Sequence, residues 1–326
     1  MKKFYLSILI ATALFSGVGE ITSKRESFQA QIKVELIKED DSTVTILDGS
    51  KFIELKTIGT STALAQELTA NRPENGTYKG VKYTVNAFKH KIKLVAGGIT
   101  YYTTTTTKNQ DESWNLSQND SDYGYTTTNA PSGGFVTNVT FPKPLVLSSG
   151  SDANLVFVNQ YLPNNVKYET NGNVESSNWI DETTKATAFL PSMPTKIVSF
   201  DVIYSKSGTT NLTNTVTAFL DSENDLIGAY MMRPSDHSAL NGSFMLSGTK
   251  TNDSYNLKFQ NGDDSEDSII GDDYYLVSGT LNCTNTTYSN LSVNEVSNGG
   301  TATEPNNLNS YSLTTTGSFS CANLNL

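Results

Sequence analysis

Strict alternation of apolar and polar residues runs through most of the chain. From residue 28 to 36 the even positions Phe28, Ala30, Ile32, Val34 and Leu36 are apolar, while Gln29, Gln31, Lys33 and Glu35 between them are polar. A period of two sends successive side chains to opposite faces of a pleated strand. The segment therefore predicts a strand with one buried face and one wet face. Val44 and Ile46 resume the rhythm after an Asp40-Asp41-Ser42 turn, and Asp48-Gly49 reads as a hairpin turn into a strand over residues 51–57. Residues 154–158 (NLVFV) are apolar on both faces, which predicts a central strand. Val198, Phe200, Val202 and Tyr204 share one face of a later strand.

Helical patterning is confined to residues 62–69, where Leu64 and Leu68 stand four apart and Pro73 follows. Elsewhere strands recur at the roughly 8–12-residue spacing of β-sandwiches, punctuated by Gly, Asn and Asp. The fold class is therefore all-β: two β-sandwich modules of mainly antiparallel strands with one short helix. A hydrophobic content of 37% suits sheets that keep one face in water. The chain of 326 residues exceeds what one sandwich needs. We place the module boundary near Leu162-Pro163, giving modules over 20–162 and 163–326. Residues 103–131, rich in Thr, Asn, Asp and Ser, read as a polar loop inserted in the first module.

Residues 1–19 (MKKFYLSILIATALFSGVG) have the form of a signal peptide. Lys2 and Lys3 precede an uncharged apolar run, and Gly17 and Gly19 lie at a peptidase-like spacing. An uncleaved anchor is the alternative, although the run is short of the roughly 20 apolar residues of a membrane span. After Leu36 no apolar stretch is long enough to cross a bilayer. Export also suits the two cysteines, Cys283 and Cys321, which end the matching hexapeptides SGTLNC and TGSFSC. In an oxidising compartment an even count predicts a bridge, which would stabilise the fold by on the order of 4 kcal/mol. Net charge is −10, and −12 without residues 1–19, which carry two lysines and no acid. A protein so acidic is a poor partner for nucleic acid, whose phosphates need a basic face.

The strands IKVELI, TVTILDGSKFIEL, NGTYKGVKYTV (residues 75–85), KIKLVAGG and PLVLSSGSDANLVF resemble a family of secreted bacterial domains of unknown function with a prealbumin-like sandwich. The resemblance covers residues 28–160. It implies that Gly76, Tyr78, Val81, Tyr83 and Val85 begin a strand that enters the core. It implies no reaction. The lipoprotein cysteine common in that family is missing here. A bacterial periplasm, cell surface or medium is the location this implies.

Candidate chemistry is sparse. His90 lies in an apolar row with Phe88, Ile92 and Leu94, which marks a core residue rather than a catalyst. His237 has only sequence neighbours Ser235, Asp236 and Ser238, and triads are built from separated segments. Lys89, Lys91 and Lys93 form a stripe on the opposite face of the His90 strand. Lysines that guard a sheet edge are the first explanation, and an anionic partner such as an acidic polysaccharide is the second. Acidic loops supply Asp221, Glu223 and Asp225 at alternate positions, and Asp263 and Asp264 within a run of six carboxylates over residues 263–273. These read first as solvated turns, with residues 222–225 turning a hairpin, and second as weak Ca²⁺ sites. None has the closing Glu of an EF-hand. No other cofactor is implied. Trp114, in the polar insertion, is a candidate sugar-stacking platform, whereas Trp179 reads as core. The function expected is that of an exported, non-enzymatic envelope or surface protein for adhesion, structure or ligand display. Its partner would be a polysaccharide or another surface protein. A carbohydrate-binding module is the alternative, and an extracellular glycosidase or peptidase a more remote one.

Overall fold

One long strand organises the first part of the molecule. The computed structural model describes residues 24–54, 65–67, 73–109, 112–149, 155–160, 167–169, 176–177, 179–181, 186–205, 212–232, 243–260, 274–285, 287–297, 306–310, 312–314 and 318–324. Its first nine strands are β1 (Lys24–Lys38), β2 (Thr43–Glu54), β3 (Ala65–Glu67), β4 (Gly76–Ala96), β5 (Ile99–Thr103), β6 (Thr106–Asn109), β7 (Trp114–Ser117), β8 (Thr126–Asn129) and β9 (Phe135–Leu147). β4 has 21 residues, which at ~3.3 Å each reach about 70 Å. Antiparallel β1 follows one edge of β4 from Tyr78 to Lys93, and β9, β8 and β5 take turns along the other. β2 extends the sheet beyond β1, and β7 extends it beyond β5. Phe28, Ala30, Ile32, Val34 and Leu36 are all buried, as their alternation requires, with Tyr78, Val81 and Val85 of β4 beside them.

Two expectations change here. Asp48-Gly49 does not reverse the chain: residues on both sides of it pair antiparallel with β1, and the extra residues form a bulge in one strand. Gly49 takes the positive φ (72°) that this bulge needs. A 15-residue β1 offers a continuous partner, so the chain keeps to it instead of folding back. The Asp40-Asp41-Ser42 turn does form, with Asp40 accepting from the Ser42 amide. Secondly, the segment 103–131 is not a loop. β6, β7 and β8 are members of the sheet, and β6 and β8 run parallel. Its Thr and Trp residues suit a pleated surface.

A small sheet forms the middle layer. β10 (Val156–Gln160) lies between β3 and β14 (Ala186–Leu190), and β11 (Lys167–Glu169), β12 (Ser176–Ser177) and β13 (Trp179–Asp181) are short pieces between them in sequence. Val156, Val158, Ala188 and Leu190 pack on one neighbour of this layer, while Leu155 and Phe189 pack on the β1–β4 core. This explains why residues 155–158 are apolar on both faces. The expected division at Leu162-Pro163 falls inside the layer, because β10 and β14 come from either side of it. Ala65–Glu67, within the expected helix 62–69, is instead the edge strand β3 of this sheet. Pairing with β10 outweighs a helical signal carried by two leucines. Among the described residues no helix reaches seven residues.

The last region is a meander. Strands β15 (Lys196–Ser205), β16 (Leu212–Leu220), β17 (Leu226–Met232), β18 (Ser243–Thr251), β19 (Ser254–Gln260), β20 (Tyr274–Asn282) and β21 (Thr287–Ser297) each pair antiparallel with the next. Three short strands follow: β22 (Asn306–Ser310), β23 (Ser312–Thr314) and β24 (Phe319–Asn323). β22 pairs with β21, while β23 and β24 run along β15. Both ends of the meander thus share one closing segment, and the sheet rolls up on itself. Its interior is filled by Phe200, Val216, Tyr255, Phe259, Val277 and other buried apolar residues. Outside, Thr249, Asn256, Ser278 and Ser292 alternate with them. No helix among the described residues is long and apolar enough to cross a membrane.

Candidate functional site

The chemistry collects where β9 leaves its own sheet. Thr140 pairs with Gly80 and Leu145 with Tyr78, so residues 141–144 bulge out opposite the single residue Lys79. Their sequence, Phe-Pro-Lys-Pro, explains this. Pro142 and Pro144 have no amide hydrogen to donate to the ladder, and prolines in strands sit at bulges or edges. Gly80 permits the close approach at this point: a Cβ there would lie 2.3 Å from the Val139 carbonyl oxygen. The bulge projects over the meander, carrying Lys143 outward on its tip.

Lys143 meets the acidic turn between β16 and β17. Asp221 accepts from the backbone amides of Glu223 (2.9 Å) and Asp225 (3.0 Å), and Asn224 takes a positive φ of 65°. The turn thereby gathers one carboxylate oxygen each from Asp221, Glu223 and Asp225 within 4.8 Å of one another. Lys143 Nζ donates to all three, at 2.8, 2.5 and 3.0 Å. Lys196 and Lys250 donate to Asn224 of the same turn. Burial pushes the Asp221 carboxyl upward, but the Lys143 hydrogen bond and the two amides outweigh it, so it stays ionised below the ordinary aspartate range. The three carboxylates hold the ammonium charged well beyond the usual lysine range. The sequence correctly placed these acids on a hairpin turn; it did not show the lysine they embrace. A Ca²⁺ ion would take three oxygens here of the six to eight it requires, and would have to displace Lys143. The arrangement is a clasp between the two regions. Asp263 and Asp264 lie outside the described residues, as do His237 and residues 1–19.

Beside the clasp lies a cleft of about 600 Å³ that the sequence did not disclose. Thr140, Phe141 and Pro142 of β9 form one wall. The other is the outer face of the meander, including Ser247, Thr249, Asn256, Lys258, Leu276, Ser278 and Ser292. Burial lowers the Lys258 pKa. Leu276 is 39% exposed, an apolar floor among hydroxyls and an amide. Small polar residues at alternate positions of β18 to β21 are the sequence trace of this face. The prolines of residues 142 and 144 are the trace of the wall, but nothing local says that one crosses the other.

The lysine stripe stands elsewhere, on the outer face of the long sheet. β4 has neighbours on both sides, so edge protection does not explain Lys89, Lys91 and Lys93. Each ammonium instead rests on an aromatic ring: Lys89 on Phe52 (4.2 Å), Lys91 on Tyr123 (4.4 Å) and Lys93 on Tyr102 (5.4 Å). Behind them His90 is buried, stacked on Phe28 with 4.8 Å between ring centroids. It is a core residue, as its apolar row requires. Trp114 is also buried, only 5% exposed, among Ile92, Leu94, Tyr101 and Leu116. Its indole fills a satellite core under the end of the sheet, which removes it as a sugar platform. The side-chain surroundings of Trp179 lie outside what the structure describes.

Cys283, just past β20, and Cys321, in β24, are bridged, with 5.7 Å between Cα atoms. β24 pairs with β15, so the bond ties the end of β20 to the closing segment beside the buried interior of the roll. Comparison of the chain with protein-family models, with curated proteins and with solved structures finds no match.

Proposed function

We propose that the chain is an exported, non-catalytic binding protein of the cell exterior, serving adhesion or ligand display from a rigid β scaffold. The observation that carries this reading is the polar cleft beside a solid roll. The interior of the meander is occupied by its own side chains, so a ligand has to be held outside it. The volume of the cleft lies within the roughly 300–1,000 Å³ of small-molecule sites. The disulfide supports an oxidising location. In this reading the clasp of Lys143 with Asp221, Glu223 and Asp225 keeps the two walls in register.

A carbohydrate is the ligand class that the lining favours. Ser247, Thr249, Asn256, Ser278 and Ser292 offer hydroxyl and amide groups to a polyhydroxylated partner, and Leu276 offers an apolar patch for a ring face. A glycan array with the purified chain tests this. Binding is expected, and it should weaken at least tenfold in Asn256→Ala/Leu276→Ala. Binding that the double variant leaves unchanged would remove the cleft from the account. Turnover on a panel of glycosidase and peptidase substrates, lost on replacing a single carboxylate, would overturn the non-catalytic reading.

A further inference from the structure

The outer face of the long sheet carries a second, differently charged surface. In a chain of net charge −10, Lys89, Lys91 and Lys93 stand in one row. Among the described residues none of the three forms an ion pair with a carboxylate, whereas Lys33, Lys38, Lys79 and Lys143 all do. Glu54, on neighbouring β2, is engaged otherwise, accepting from the hydroxyl of Ser27 and the amide of Gln29. Asp120 and Asp122 directly precede Tyr123 in the chain, and Glu26 is a further acid nearby. It lies by Tyr123, and together with burial it pushes that phenol well above its usual range. The ladder also sets Lys24 opposite Lys93.

Alternate residues of a strand are about 6.7 Å apart, so the three ammonium groups span about 13 Å along β4. Phe52, Tyr102 and Tyr123 lie beneath them, all half-buried, and the Tyr102 and Tyr123 ring centroids are 5.2 Å apart. A cation resting on a ring keeps most of its charge available, because the quadrupole attracts it without neutralising it. Ammonium groups seated on half-buried rings offer both charge and apolar surface to a polymer that carries carboxylates on flat, partly apolar pyranose rings.

We propose that this face binds an acidic polysaccharide, a polyuronate chain lying along β4 with its carboxylates on Lys89, Lys91 and Lys93 and its sugar rings against Tyr102 and Tyr123. The inference rests on reading the chain as an exterior binding protein, but it concerns a site separate from the cleft.

The test uses the full chain and polygalacturonate as probe, with neutral dextran and poly-glutamate as controls, followed by biolayer interferometry at 50 and 500 mM NaCl. Polygalacturonate should bind measurably more tightly than either control, and added salt should weaken it as screening shortens the reach of the charges. Lys89→Gln/Lys91→Gln/Lys93→Gln should lose at least tenfold. The corresponding triple arginine variant should keep binding within about threefold, and Tyr102→Leu should lose severalfold. Circular dichroism and melting curves establish that each variant is folded; if the glutamine variant is not, Tyr102→Leu and the arginine variant decide. Polygalacturonate binding that is absent, or unchanged in the folded glutamine variant, overturns the proposal. Equal binding of poly-glutamate overturns it too, by showing that charge alone is recognised. If polygalacturonate fails while a neutral glycan binds in the cleft, this inference falls and the broader function stands.

Discussion

The two large sheets of this protein solve the same problem in opposite ways. Around β4 the sheet is open, and its strands meet out of sequence order: β1 lies on one side of β4, and β9, β8 and β5 lie on the other. In the meander every strand from β15 to β21 pairs with its successor, and the last segment returns to the first. Closure removes exposed edges, and the roll buries its apolar faces against one another. The open sheet can bury only one face. Phe189 and Leu155 of the middle layer pack on that face, and the other face carries polar residues and the lysine and aromatic row. The comparison teaches where function has room. A closed, filled roll leaves only its outside for a ligand, and an open sheet has a whole face to offer.

The strongest way to break the comparison is to hollow out the roll. Phe259 is fully buried, and Phe259→Ala should cost about 3–5 kcal/mol. Hydrogen exchange should then rise together from β15 to β21. A rise confined to β19 and its neighbours would show that closure does not make the meander cooperative. Next in size is the bridge: Cys283→Ser/Cys321→Ser should lower stability by about 2–4 kcal/mol. Denaturant melts should show that loss, while exchange in β1 and β2 stays as before. On the open side, Gly80→Val forces a Cβ against the Val139 carbonyl and should cost about 1–3 kcal/mol. Exchange should rise first in β4 and β9.

The smallest effect sharpens the contact between the regions. Lys143→Met should cost only about 1 kcal/mol, because Lys143, Glu223 and Asp225 stand partly in solvent, which screens the attraction. Its pH dependence is more telling than its size. Asp221 is held below the ordinary aspartate range, so its contribution is present at neutral pH and is lost as pH falls below about 4. Stability against pH, measured for the native chain and for Lys143→Met, should differ near neutrality and converge in acid. A difference that persists at pH 2 would mean that the clasp does not act through this charge.

How far the sequence could be read depended on distance along the chain. The alternation of Phe28 to Leu36 settles which side chains enter the core, because a strand has only two faces. The same logic placed His90 inside and put Asp221, Glu223 and Asp225 on a turn. It failed for Asp48-Gly49, whose turn chemistry suits a bulge as well as a hairpin, and only the partner strand decides. It failed for Trp114 too: a polar neighbourhood in sequence became a covered one once β5 and β7 paired. The partner of the acidic turn lies 78 residues from Asp221, beyond any local pattern.

By itself the sequence determined that this chain is all-β, which face of β1 is buried, and that its two cysteines are suited to pairing, since these follow from side-chain period and from two matching hexapeptides. Tertiary structure alone decided that the meander closes, that residues 155–158 and 186–190 form a layer shared by both regions, and that the bulge at Pro142 and Pro144 delivers Lys143 to three carboxylates. Period fixes the face on which a side chain lies; only the packing of distant strands fixes what that face meets.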